Sequence, residues 1–296
     1  MFRVIAENIN VMSKKIGPAM KNRDKKPIQE LAEKLSTNGS DLLDINLGPA
    51  RKGGEELMEW VVKTVQEVAD LPLYLDTSNV KAIEAGLKAH KSSAGKAVIN
   101  SISARPERME ALWPLAKEYN SGAVALVLGT EGIPRDSNER AANAAMLMAQ
   151  GDEFGIPHGD VWIDPIVVPV SSQQQQVGSC TEFIGMLGAM SPDYSNTCGL
   201  SNVSNGSPDN LRPLLNQCYL LMLKHAGLTG AILDGLDTEI LALAKGSRPD
   251  IEELIGKIMD GNEPDLASLD EEKLRFAKTT KMLLGQTLYS DSWLDL

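Results

Sequence analysis

Leu42-Leu43-Asp44-Ile45-Asn46, a short run that turns polar at its end, is followed past Gly53-Gly54 by a segment in which Leu57, Val61, Val65 and Val68 recur on one helical face. Such a run, a glycine turn and a 3.6-residue period describe a strand, a loop and an amphipathic helix. The same step precedes it: Arg3 to Ile9 reads as a strand, and Ile28, Leu31, Ala32 and Leu35 share a helical face behind it. Downstream the step recurs, with strands expected at Leu73 to Asp76, Ala97 to Asn100, Ala123 to Leu128, Val161 to Asp164, Thr197 to Ser201 and Ala231 to Asp234. Short apolar runs separated by helices are typical of strands buried on both faces of a parallel sheet. Eight such units predict a closed (β/α)8 TIM barrel. A doubly wound open sheet is the alternative, but the Gly-rich turn it places after its first strand is replaced here by Glu7-Asn8-Ile9-Asn10.

The 296 residues suit one domain over 1-296. The rhythm breaks only at 245-273, where Pro249, Gly261, Pro264 and many acids precede the last helix. We read this stretch as an insertion carrying one helix, Pro249 to Met259, either a surface elaboration or a docking element. Gln173 to Gln176 reads as the polar opening of the sixth helix. The net charge of -11 repels nucleic acid and anionic membranes, and no run of Lys or Arg is seen that would form a local basic patch. Cys180, Cys198 and Cys218 are odd in number and lack CxxC spacing, which argues against a disulfide framework or thiolate zinc site and for a cytoplasmic setting. The first seven residues already include charges, and no apolar stretch has the length of a membrane span.

In a barrel of this kind, residues at the C-terminal ends of strands are candidates for chemistry. Here those ends carry Glu7, Asp44 with Asn46, Asp76, Asn100, Asp164, Ser201 with Asn202, and Asp234. They include no Lys for a Schiff base and no clustered His for a metal, since His90, His158 and His225 fall elsewhere. Carboxylates and carboxamides suit a neutral, donor-rich ligand such as a 2-aminopyrimidinone ring, whose exocyclic amine and ring N–H can both donate to one carboxylate. Asp and Asn also cap helices. That reading stays open for Asp44 and Asp234, whereas Asp76, Asn100 and Asp164 converge as a set.

Several motifs in order carry a resemblance: Ala6-Glu7-Asn8-Ile9-Asn10, Asp44-Ile45-Asn46-Leu47-Gly48-Pro49, Leu75-Asp76-Thr77-Ser78-Asn79 with Lys81 to Leu87, Ile99-Asn100-Ser101, Ile163-Asp164-Pro165 and Gly199-Leu200-Ser201-Asn202-Val203-Ser204. In these the chain resembles the pterin-binding methyltransferases of acetogenic and related one-carbon metabolism, relatives of dihydropteroate synthase. The resemblance implies a dihydropteroate synthase-like barrel and transfer of a methyl group between N5 of tetrahydrofolate, or 5-methyltetrahydrofolate, and a corrinoid (cobalamin). It further implies that Asp76, Asn100 and Asp164 hold the pterin ring and that Asn202 lies near N5. Glu7, Asn10, Asp44, Asn46 and Ser201 sit in matching motifs. A homodimer is the family expectation.

The family often begins Gly-Glu-Arg-Ile-Asn, whereas Ala6 and Asn8 stand here in place of the glycine and arginine. The corrinoid is expected on a partner protein, because a cobalt-ligating Asp-x-His-x-x-Gly motif is absent. The transfer implied is an in-line displacement without a covalent enzyme intermediate, and no side chain stands out as a general acid. Dihydropteroate synthase is the enzymatic alternative, but neither Gly199 to Ser204 nor Leu233 to Asp237 offers a basic residue for its pyrophosphate leaving group. A folate-binding subunit without catalysis is the other alternative.

Overall fold

Each strand lies beside its neighbour in sequence, so chain order and spatial order coincide around the molecule. In the computed structural model, which describes residues 2–295, the chain runs β1 (Arg3–Asn10), α1 (Ile16–Asn22), α2 (Lys25–Thr37), β2 (Leu42–Gly48), α3 (Gly54–Gln66), β3 (Leu73–Thr77), α4 (Val80–Ala89) and β4 (Val98–Ser103). It continues through α5 (Pro106–Glu118), β5 (Gly122–Leu126), α6 (Ser137–Glu153), β6 (Val161–Asp164), α7 (Val170–Met190), β7 (Ser195–Asn196), α8 (Arg212–Ala226) and β8 (Gly230–Leu233). Three further helices, α9 (Thr238–Ala244), α10 (Pro249–Met259) and α11 (Glu271–Leu283), follow the last strand. The strands pair in the order β7-β6-β5-β4-β3-β2-β1-β8, and every ladder is parallel.

The expected seventh strand is corrected. Ladder pairing stops at Asn196, and residues Leu200–Ser204 form a 3-10 turn. The barrel closes through one residue's width of contact, where Ile232 N–H donates to Cys198 O at 2.8 Å and Gly199 bridges Ile232. The apolar character of Cys198 and Leu200 comes from burial beside β8 rather than from a longer ladder.

Side-chain alternation along the strands divides the barrel interior into two levels. Ile5, Leu42, Tyr74, Val98, Val124 and Ile232 form a closed apolar floor with Trp162 packed against it. Two residues further along the same strands stand Glu7, Asp44, Asp76, Asn100, Leu126, Asp164 and Asp234. The outward-facing residues join the much larger core between barrel and helices. The polar level is therefore the next inward tier above an apolar plug.

Local chemistry sets the helices that frame this level. Asn79 caps α4 by accepting from Lys81 and Ala82 N–H, and Asp237 caps α9 through Glu239 and Ile240 N–H. Neither Asp44 nor Asp234 caps a helix, although Asp234 accepts from Leu236 N–H at 2.9 Å in the turn before α9. The glutamine run opens α7 as expected and also fastens it. Gln174 donates to Met282 and Thr287 carbonyls and accepts from Tyr289 N–H, which holds the C-terminal tail. The helix at Pro249–Met259 buries Ile251, Leu254, Ile255 and Ile258.

Candidate active site

Parallel register, rather than proximity in sequence, assembles the site. Asn46 pairs across to Asp76, and Asp76 to Asn100, so three consecutive strands present a row of amide, carboxylate and amide. The Asn46 amide donates to Asp76, while its carbonyl oxygen accepts from Gly48 N–H at 2.9 Å. Asp44, one pleat lower, is almost fully buried and accepts from Asn100 Nδ2 at 3.0 Å. Each carboxylate in this row has its orientation set by a neighbouring amide.

On β1 a register shift between Ala6 and Ile9 marks a bulge. A bulge re-aims side chains, and the consecutive residues Glu7 and Asn8 accordingly both face the cavity. Glu7 accepts from Ser201 Oγ at 3.4 Å. Asn8 donates to Asp234 at 2.6 Å and accepts from Gly235 N–H at 2.9 Å, tying the β1 and β8 loops together where the resembling family carries an arginine. Asn10 accepts from Met12 N–H and so shapes the loop after β1.

Opposite, Asp164 accepts from Ile166 N–H at 2.8 Å, and its loop is clasped from behind by Arg140, a fully buried guanidinium without a carboxylate partner among the described residues. Arg140 donates to Pro165 O, Asp136 O, Ser179 Oγ and Gln176 Oε1. No pattern in the sequence marks Arg140, because its partners lie on segments brought together only by the fold. Asn202 sits on the 3-10 turn and lines the cavity, with its carbonyl oxygen accepting from Asn205 Nδ2 at 3.2 Å and its nitrogen beside Gly199. A Cβ at Gly199 would come within 3.0 Å of that Asn202 nitrogen, so a larger residue before the turn would push the Asn202 amide aside.

Together these groups line a cavity of about 670 Å3 that contains all nine residues singled out from the sequence. Asp234 also lines it, as do Ser101, which lies within β4 one residue past Asn100, and Ser13, Ile166 and Val167, which strand-end reasoning passed over because they lie on loops beyond the strands. No Lys, Arg or His is among the lining residues. Desolvation by burial pushes Glu7 and Asp76 up to about 6 and Asp164 up to about 7. Asp44 is raised well above the usual carboxylate range, first by burial and then by the charge of Asp76. Asp164 is therefore about half protonated near neutral pH, whereas Glu7 and Asp76 are mainly ionised above about pH 6, and donors from a ligand would favour the ionised form of each.

Residues 6–237 match the family described as pterin binding enzymes, and the chain belongs to that family. It is similar to a methylcorrinoid:tetrahydrofolate methyltransferase of Eubacterium limosum, 24% identical over 240 residues that cover 80% of this chain and 87% of that protein. It is also 27% identical over 241 residues to a methionine synthase of Mycobacterium tuberculosis, covering 78% of this chain but 20% of that longer protein. Among solved structures, a dihydropteroate synthase from Coxiella burnetii in complex with pteroic acid superposes with a TM-score of 0.65 at 14% identity, over 83% of this chain and 93% of the other. The dihydropteroate synthase of Thermus thermophilus gives 0.60 at 18% identity, over 84% and 94%. These two likenesses establish the dihydropteroate synthase-like barrel.

Proposed function

We propose that the protein is a cytoplasmic methyltransferase that moves a methyl group between N5 of tetrahydrofolate and a corrinoid carried by a separate protein. The observation that carries this reading is the cavity lining itself: a row of oriented carboxylates and amides with no cation among them. A pterin ring offers adjacent N–H donors, and carboxylates at Asp76 and Asp164 are suitable acceptors for them. A substrate bearing a pyrophosphate would meet the same carboxylates without a positive group to receive it, which disfavours dihydropteroate synthesis. The similarity to the methylcorrinoid:tetrahydrofolate methyltransferase supports methyl transfer specifically.

The corrinoid supplies the cobalt that takes or gives the methyl group. This chain's part is to bind and orient the folate, through Asp76, Asn100 and Asp164 with Asp44 and Asn46 behind them, and to stabilise charge at N5. Asn202, whose NH2 group donates to no partner among the described residues, is assigned to N5. Where the sequence offered no side-chain acid, the buried Glu7 is a candidate proton store: its carboxyl titrates at about 6 and touches Ser201, the residue before Asn202. The in-line displacement itself needs no covalent bond to the protein.

Calorimetric titration of the protein with 5-methyltetrahydrofolate tests the reading. Saturable binding that disappears in an Asp76→Asn, Asn100→Ala double variant is expected, and wild-type protein that binds no folate would sink it. Methyl transfer from a methylated corrinoid protein, followed by the corrinoid's visible absorption, separates an active enzyme from a folate-binding subunit.

A further inference from the structure

The chain continues past the stretch that matches the family, 6–237, and its last segment returns to the site. After α11 the backbone turns at Gly285, whose φ of +78° suits a glycine, and residues 285–295 form a strap against the start of α7. A chain end stays ordered only where it is tied down. The far end of the strap is pinned by Trp293, which is buried and donates its indole N–H to Thr279 Oγ1 at 3.0 Å, and by Lys278, which donates to Leu294 O at 2.7 Å. The near end is held by Gln174, whose amide is fully used. Its nitrogen donates to Met282 O and Thr287 O, and its oxygen accepts from Tyr289 N–H.

From this strap one side chain reaches back to the turn that carries Asn202. The Tyr289 hydroxyl bridges Ser207 Oγ and Asp291 Oδ1, at 2.8 Å each. A phenol has one proton, which the carboxylate takes, so the Ser207 hydroxyl donates the other bond. Ser207 is buried, and its N–H donates at 3.1 Å to the carbonyl of Ser204, the last residue of the 3-10 turn. The strap is in turn registered to the Asp164 wall. Two residues past Gln174 on α7, Gln176 accepts from Arg140, and Arg140 donates to Pro165 O beside Asp164.

The Asn202 turn needs such support. β7 supplies a ladder of two residues, Ser195–Asn196, and the turn beyond it is a five-residue 3-10 piece, a conformation with poor hydrogen-bond geometry of its own. The row from β2 to β4 is fastened within itself, Asn46 to Asp76 and Asn100 to Asp44. The strap therefore bears on the side of the cavity where the barrel's own pairing is weakest.

Resting on the folate reading above, we propose that Tyr289 is a positioning residue: through Ser207 it fixes where Asn202 stands against N5 of the bound folate. Misplacing a polar group by about 1 Å is enough to lose its effect on a reacting atom.

The test uses the full chain saturated with 5-methyltetrahydrofolate whose N5-methyl carbon is carbon-13, and reads that carbon's NMR resonance beside calorimetric affinities. Asn202→Ala is expected to move the resonance. Tyr289→Phe deletes the hydroxyl but keeps the ring against Trp293, 5.7 Å between centroids, and should move the resonance in the same direction by less. Its affinity should stay within about threefold of wild type, because the β2 to β4 row is untouched. Ser207→Ala should act alike, and the Tyr289→Phe, Ser207→Ala double variant should add little to either single change, as one shared bond requires. Tyr194→Phe, which removes a hydroxyl bonded to Asp152, should leave the resonance in place. A resonance moved by Asn202→Ala but not by Tyr289→Phe, or additive shifts in the double variant, overturns the positioning role and leaves the folate reading intact. A resonance that ignores Asn202→Ala removes Asn202 from N5 and the proposal with it. Absence of saturable binding by the wild-type protein overturns both readings.

Discussion

The floor of the barrel and the tier directly above it are built from the same strands, two residues apart, yet they answer to opposite requirements. Below, Ile5, Leu42, Tyr74, Val98, Val124 and Ile232 exclude water and gain stability from burial. Above, Glu7, Asp44, Asp76 and Asp164 lose hydration and are held partly protonated, a state that favours folding less the more they ionise. The contrast separates residues that make the barrel from residues that the barrel must carry. Substitutions in the two tiers should therefore have opposite signs in stability and unequal effects on binding.

The largest expected effect is in the floor. Tyr74 is fully buried and meets Trp162 edge-on at 6.4 Å between ring centroids. Tyr74→Ala should cost about 3–5 kcal/mol in denaturant unfolding, the usual range for deleting a buried aromatic ring. A loss under about 1 kcal/mol would show that the floor is not the tier that stabilises the barrel.

Asp164→Asn sharpens the same comparison from above. Because burial raises this carboxyl from 3.8 to about 7, the folded chain binds more protons than the unfolded chain between those values, and stability falls as pH rises through them. The isosteric amide removes that penalty. At pH 8 the variant should be more stable by on the order of 2 kcal/mol, while folate binding weakens at least about tenfold through loss of a charged acceptor. A variant that is less stable at pH 8 would break the distinction between the tiers.

The smallest expected effect is on pH. Ligand N–H donors favour the ionised form of Asp76 and Asp164, so binding should release protons at pH 6–7 and affinity should rise with pH through about 6 to 7 before levelling. The slope should approach about tenfold per pH unit for each carboxylate below its free-protein value. Titrations in buffers of different ionisation enthalpy would detect the protons. A pH-independent affinity with no proton release would remove these carboxylates from the ligand's acceptors.

Much of the architecture is legible in the sequence alone. Short apolar runs followed by helical periods gave eight units because burial on both faces leaves a plain signature, and polar residues at the strand ends stood out against it. The nine residues chosen on that basis do meet in one cavity. The α10 boundaries were readable from Pro249 and the amphipathic spacing behind it. Local signals of this kind are carried by neighbours in the chain, and a single sequence contains them.

Other features required the tertiary structure. Where β7 stops depends on closure against β8 through Cys198 and Ile232. The inward turn of both Glu7 and Asn8 depends on a bulge against β2. Arg140 becomes a buried clasp only because α6, α7 and the loop after β6 converge on it. In each case the deciding partners are distant in the chain: composition and spacing specified the strands and their polar ends, while contacts between remote segments determined how those ends were aimed, charged and reached.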